Sequence, residues 1–342
     1  MPKLPEEFAP TGPKLSRLVV QPAPPIRPRL FPDEARFAGR LSLLAGGAEL
    51  CAWVWFARLL VHRGPWGPAL AFGGLRLLRP LWSWLGTRLP RTLVAFSLLA
   101  VSLVLQGFAS VSFSDRLGMF AAALPALGDL CASAMADAVT VERRAAAFSW
   151  LDMGQGLGCA LGLAVGMANP RLAPLAGTVA LIAGSLAIPD LRDRDTPRSS
   201  WPLRLRATVL RTPLAAQVSL VALAAGGLSA AASVRSGLGW LALLPPLAGM
   251  FAAARLEPAM RNALIVPRAL AALSGAALAL RFWSAPAGGA LGLFVLGACC
   301  SALPAAVARG SGEMERPVAS SLAWSALAAG ATLGLACAAA PW

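Results

Sequence analysis

The chain has no tyrosine, a single histidine (His62) and only two lysines, Lys3 and Lys14, and charged residues make up just 13% of it. One histidine leaves no imidazole cluster to bind a metal. The six cysteines (Cys51, Cys131, Cys159, Cys299, Cys300 and Cys337) contain no C-x-x-C pair and all fall inside apolar stretches. They read as small hydrophobes packed between helices, not as a disulfide framework or a zinc site. There is no G-x-x-x-x-G-K-[ST] phosphate loop, so ATP-driven transport by this chain alone is not expected. G-x-S-x-G and H-E-x-x-H are missing too, so an enzyme reading would rest on isolated carboxylates. No enzymatic activity, cofactor or metal is expected.

What is present is apolar. Of 342 residues, 57% are hydrophobic, and the mean hydropathy is +0.65. A soluble domain carries about 25% charged residues, and a core large enough to hide this apolar surplus from water is ruled out by surface-to-volume scaling. A bilayer solvates that surface directly. The net charge of +14 raises the question of nucleic acid, which is bound by clustered cations. Here the arginines recur in short bursts between apolar runs, so no nucleic-acid partner is expected. The wealth of Ala, Leu, Gly, Arg and Pro fits a GC-rich bacterial genome.

Residues 1–38 form a polar, Pro-rich tail without the early apolar region of a cleavable signal peptide. Runs of about 20 apolar residues, the length that crosses the hydrocarbon, then occur at Leu41–Leu60, Pro68–Leu85, Leu93–Ala109, Leu117–Met135, Ala145–Gly166 and Leu175–Ile188. Five more follow at Leu214–Val234, Leu238–Ala254, Asn262–Leu280, Pro286–Ala308 and Val318–Ala340. With the N-terminus inside, the cytoplasmic segments hold 21 Lys or Arg and the external ones 6. This is the asymmetry that topology imposes on basic loops. The expected architecture is an all-α, polytopic membrane protein of about eleven spans, with bundles at 39–189 and 213–342. Between them, 190–212 forms a basic cytoplasmic linker whose Trp201–Pro213 stretch reads as an interfacial amphipathic segment. An offset of 172 residues aligns Leu161-Gly162-Leu163-Ala164 with Leu333-Gly334-Leu335-Ala336 and Arg144 with Arg316, which points to two repeated halves.

Ionisable groups inside a bilayer are costly and so mark function. Glu49 lies near the middle of span 1. Arg76 and Arg79 sit three apart on one face of span 2, where both could meet one acidic partner. Asp129 lies well inside span 4. Asp152 and Gln155 lie about two turns into span 5, with Asp152 nearer the cytoplasmic end, where it would be solvated or loop-bonded. Glu49 and Asp129 are the expected proton-accepting carboxylates, with Arg76 and Arg79 as counter-ions or anion ligands. The plain alternative is a static buried ion pair that pins helices. Trp53, Trp55, Trp82, Trp84, Trp240, Trp283, Trp324 and Trp342 fall toward span ends and read as interfacial anchors. Gly154, Gly158 and Gly162, at four-residue spacing in span 5, read as a close-packing face.

The stretch Asp137-Ala-Val-Thr-Val-Glu142-Arg143-Arg144 resembles the loop between helices 4 and 5 of the major facilitator superfamily. The glycines that follow resemble the fifth helix of its drug antiporters, with Leu163 where that pattern has Pro. Leu85-Gly86-Thr87-Arg88-Leu89-Pro90-Arg91 is similar in position and basicity to the family's loop 2–3 motif, without its Asp and second Gly. The resemblance implies a secondary transporter in the bacterial inner membrane, coupled to protons and exporting small molecules by alternating access. Its moving seams would be marked by Arg88, Arg91, Asp137, Glu142, Arg143, Arg144 and the span-5 glycines. The family usually has twelve spans, so the second expectation is a transport-inactive scaffold or membrane protein partner. The substrate's identity is not legible in the sequence.

Overall fold

The computed structural model describes residues 30–63, 66–85, 89–111, 115–191, 227, 241, 243–256, 265–310 and 316–339. All regular secondary structure among them is helical. The linker segment 192–213 and, apart from Gly227, the expected seventh span lie outside the described residues. Five helical stretches are long and apolar enough to cross a membrane.

Helix α1 spans Pro32–Arg63 and starts ahead of the expected Leu41. Proline at the first helical position is pre-set for the turn. Asp33 and Glu34 favour the positive end of the helix dipole, and Glu34 also accepts the Phe31 amide at 2.9 Å. The second span is not one helix. It breaks into α2, Trp66–Leu77, and α3, Arg79–Leu85. Pro80 disfavours helix at the residue before it and cannot donate. The chain crosses the break through the Leu78→Leu75 and Leu81→Leu78 backbone bonds, at 3.2 and 2.9 Å. The single helical face expected for Arg76 and Arg79 is thereby replaced by a joint with one arginine on each side.

Helix α4 covers Arg91–Val111. The fourth span is also interrupted: α5, Asp115–Gly118, leads through a 3₁₀ turn at Met119–Ala123 to α6, Ala126–Ala138. Asp129 therefore sits in the first turn of α6, where a carboxylate favours the helix dipole. Helix α7 runs unbroken over Val141–Ala168, and α8 is short, Ala173–Ser185. The second half contributes α9 (Leu244–Leu256), α10 (Ile265–Trp283), α11 (Ala285–Gly310) and α12 (Arg316–Ala339).

Helix α1 is the hub of the first half, packed against α6, α7 and α8. Its seam with α7 depends on missing side chains. A methyl group added at Gly46 would sit 2.6 Å from the Gly154 carbonyl oxygen, one at Gly158 would run into the Gly46 oxygen, and one at Gly162 would sit 2.6 Å from the Leu50 oxygen. The second half repeats this device. A methyl at Gly227 would lie 3.1 Å from the Gly330 oxygen, and one at Gly334 would run into the Gly227 oxygen. By contact, then, Gly46, Gly154 and Gly158 correspond to Gly227, Gly330 and Gly334. The α7-to-α12 offset is 176 residues, one helical turn beyond the tetrapeptide register.

The halves meet where α7 packs on α9 and α11, and where α12 packs on α2, α3 and α6. One apolar cluster, which includes Trp53, Phe56, Phe72, Leu296 and Trp324, spans this junction. A second fills the inside of the first half. On the outer face, Leu93, Phe96, Val104 and Phe108 of α4 and Leu175, Val179 and Ile182 of α8 are exposed. They recur at helical spacing, as a lipid-facing stripe must.

Candidate functional site

Four of the residues singled out by charge converge. Glu49 (α1), Arg76 (α2), Arg79 (α3) and Asp129 (α6) are all buried, none more than 5% exposed. Arg79 grips Asp129 through a two-pronged pair, Nε–Oδ2 at 3.0 Å and Nη2–Oδ1 at 2.9 Å, and reaches Glu49 Oε1 with Nη1 at 3.2 Å. Arg76 donates from Nη2 to Glu49 Oε2 at 2.8 Å. The two arginines thus share Glu49, while Asp129 pairs with Arg79. Such forked pairs are short and specific, and a buried ion deprived of its partner is penalised heavily. The charges, two of each sign, cancel.

Two features distinguish this cluster from a closed ion network within one half. First, the second half touches it: Ser321 of α12 donates to Asp129 Oδ2 at 2.7 Å, and the Trp324 ring lies 5.6 Å from the Arg79 guanidinium. Second, the site is not fully satisfied. Arg76 lies between the Trp53 and Phe72 rings, 5.2 Å from each, yet its Nε and Nη1 have no hydrogen-bond partner, and neither does Trp53 Nε1. Unpaired buried donors are rare and need a reason. Beside Glu49 is a void of about 10 Å³, lined by Trp53, Cys159 and Leu163 from the first half and by Leu296, Cys300, Trp324 and Leu327 from the second. That is roughly room for one water. Cys159 donates to Glu49 Oε2 at 3.5 Å.

Gln155 joins the cluster. It is buried, and a methyl on Gly128 would collide with its amide and lie 3.2 Å from Arg79 Nη2. Its Oε1 is unpartnered. Asp152 is buried in α7, where the sequence suggested a solvated or loop-bonded carboxylate near a helix end. The tryptophan reading needs the same correction. Trp53, Trp55 and Trp324 are at most 3% exposed, whereas Trp283 is 91% exposed. Position along a span does not reveal which way a ring turns.

The motif residues form a separate group at one end of the first half. Arg91 Nη2 pairs with Asp137 Oδ2 at 2.6 Å. Arg143 pairs with Glu34 Oε2 at 3.3 Å and lies 3.6 Å from the Phe31 ring. Arg144 Nε donates to the Val139 carbonyl at 3.1 Å. Glu142 lies in the first turn of α7, and Arg88 lies outside the described residues. Gly154, Gly158 and Gly162 pack on α1 within the first half, whereas Gly156 faces the second half, against Met250 and Cys300. Sequence reading missed Ser321, Cys159, Cys300 and Gly128. Only Gly128, next to an intramembrane aspartate, carried a visible signal.

No family model matches the chain, and no curated protein matches it. Among solved structures, the crystal structure of the human organic anion transporter MFSD10 (TETRAN) is similar with a TM-score of 0.61 at 19% identity, over 90% of this chain and 94% of that one. The chain therefore has a polytopic all-α fold like that of this transporter, and its long apolar helices mark it as an integral membrane protein.

Proposed function

We propose that this protein is a secondary transporter that moves a small molecule by alternating access, with proton-coupled efflux as its mode and Glu49, Arg76, Arg79 and Asp129 as the coupling site. The observation that carries this reading is the Ser321–Asp129 hydrogen bond, which joins the buried ion cluster to the opposite half. A proton taken up by Asp129 weakens its grip on Arg79 and changes what Ser321 can bond. Occupancy by a proton and the spacing of the halves are then one equilibrium, as coupling requires. Protonation of either carboxylate leaves the cluster net positive, which an anionic substrate would offset. The unpartnered Nε and Nη1 of Arg76 suit an anion, and the solved structure of similar fold is described as an organic anion transporter.

The second reading, a transport-inactive scaffold, is favoured by the water-sized void, since a fully neutralised cluster in a closed junction can also serve as a static pin. Reconstitution in proteoliposomes separates the two. With a pH dye inside the vesicles, wild-type protein should dissipate a proton gradient when an organic anion panel is added, and Glu49→Gln and Asp129→Asn should lose that response. Flat traces for all three, with no counterflow of any substrate, would leave the scaffold.

A further inference from the structure

We propose that the junction between the halves contains a binding site for a thiophilic monovalent metal cation of the copper(I) class, ligated by the thiolates of Cys159 and Cys300. The two cysteines come from opposite halves, Cys159 from α7 and Cys300 from α11, and face one another across the same small void. They are 5% and 3% exposed, and Met250 of α9 is 2% exposed. Both cysteines line the void of about 10 Å³ beside Glu49. A methyl at Gly156 would lie 2.5 Å from Met250 Sδ and 3.3 Å from Cys300 Cβ, so that sulfur packs on the Cys300 side of the junction, outside the lining of the void. Two thiols from opposite halves thus face a space far too small for an organic molecule, yet the right size for a single water or a bare ion.

The donor set selects the ion. Thiolate and thioether ligands favour soft cations such as copper(I), whereas calcium, magnesium and manganese want oxygen. Among the described residues no group of three or more His, Cys, Asp or Glu side chains is placed to hold a metal. This leaves a four-ligand structural zinc site without its ligands, while a two-coordinate d¹⁰ ion needs only the dithiol. On binding, two S–H bonds break, two metal–sulfur bonds form and two protons leave. Glu49, which already accepts from Cys159, is the first acceptor. No electron is transferred. The bis-thiolate complex carries one net negative charge, which the positive charge of Arg76, acting on Cys159, offsets.

The site is independent of whether the chain transports anything, so it is tested by binding. Purified detergent-solubilised protein, kept reduced, would be titrated with silver(I) and examined by native mass spectrometry and thermal unfolding. Wild type should retain one silver ion and unfold at a higher temperature, because the ligands tie the halves together. Cys159→Ser and Cys300→Ser should each lose that ion and the stabilisation, Cys159→Ala should repeat the loss with apolar packing kept, and Cys51→Ser should behave as wild type. Silver retention unchanged in the Cys159 and Cys300 variants would overturn the proposal. Equal retention of zinc(II), or a Cys159–Cys300 disulfide that survives reduction, would overturn it as well.

Discussion

Arg76 and Arg79 are chemically identical and three residues apart, yet the structure gives them different work. All three guanidinium nitrogens of Arg79 are engaged, two with Asp129 and one with Glu49, whereas Arg76 uses only Nη2. Arg79→Gln would strand Asp129 without its cation and should destabilise the protein by about 3–5 kcal/mol, the usual consequence of breaking a buried pair from one side. Arg76→Gln leaves Glu49 with Arg79 and removes two unpaired donors, so its loss should be clearly smaller. Thermal unfolding in detergent gives the order, and equal destabilisation would contradict this division of labour. The four charges were legible in the sequence because a bilayer makes every ionisable group conspicuous. Ser321 and Cys300 were not, because one hydroxyl or thiol among alanines carries no cost that marks it.

At the scale of the helix, the spans were legible as apolar runs, but their interruptions were not. Pro80 and Pro125 each split an expected span, and both splits serve the cluster. The first sets Arg76 and Arg79 on either side of a joint, and the second brings Asp129 to a helix start. The glycine face of α7 was readable from its four-residue spacing; that it meets α1, inside one half, was decided by packing. Gly158→Val should force α1 and α7 apart, at a cost of about 1–3 kcal/mol for overpacking. Gly74→Ala, where nothing lies within 4 Å of the added methyl, should be neutral or stabilising by up to about 1 kcal/mol, as alanine for glycine within a helix generally is. Unfolding midpoints of the two variants compare them directly, and a Gly158→Val protein as stable as wild type would refute the close seam.

Across the whole molecule, the ion cluster belongs to the first half and its cap to the second. Ser321→Ala deletes one hydrogen bond across the junction while leaving all four charges paired. It should let the halves separate more often, so that maleimide labels Cys300 several-fold faster than in wild type; an unchanged labelling rate would show that Ser321 does not hold the halves together. By itself the sequence determined the solvent, the helical class and the list of costly charges. Each of these follows from how single residues or short runs partition between water and lipid. Which charge pairs with which, which way a tryptophan turns, the one-turn slip between the repeats and the meeting of Cys159 with Cys300 were decided only by tertiary structure. They depend on contacts between residues as far apart as 192 positions, and such contacts leave no periodicity in the chain to be read.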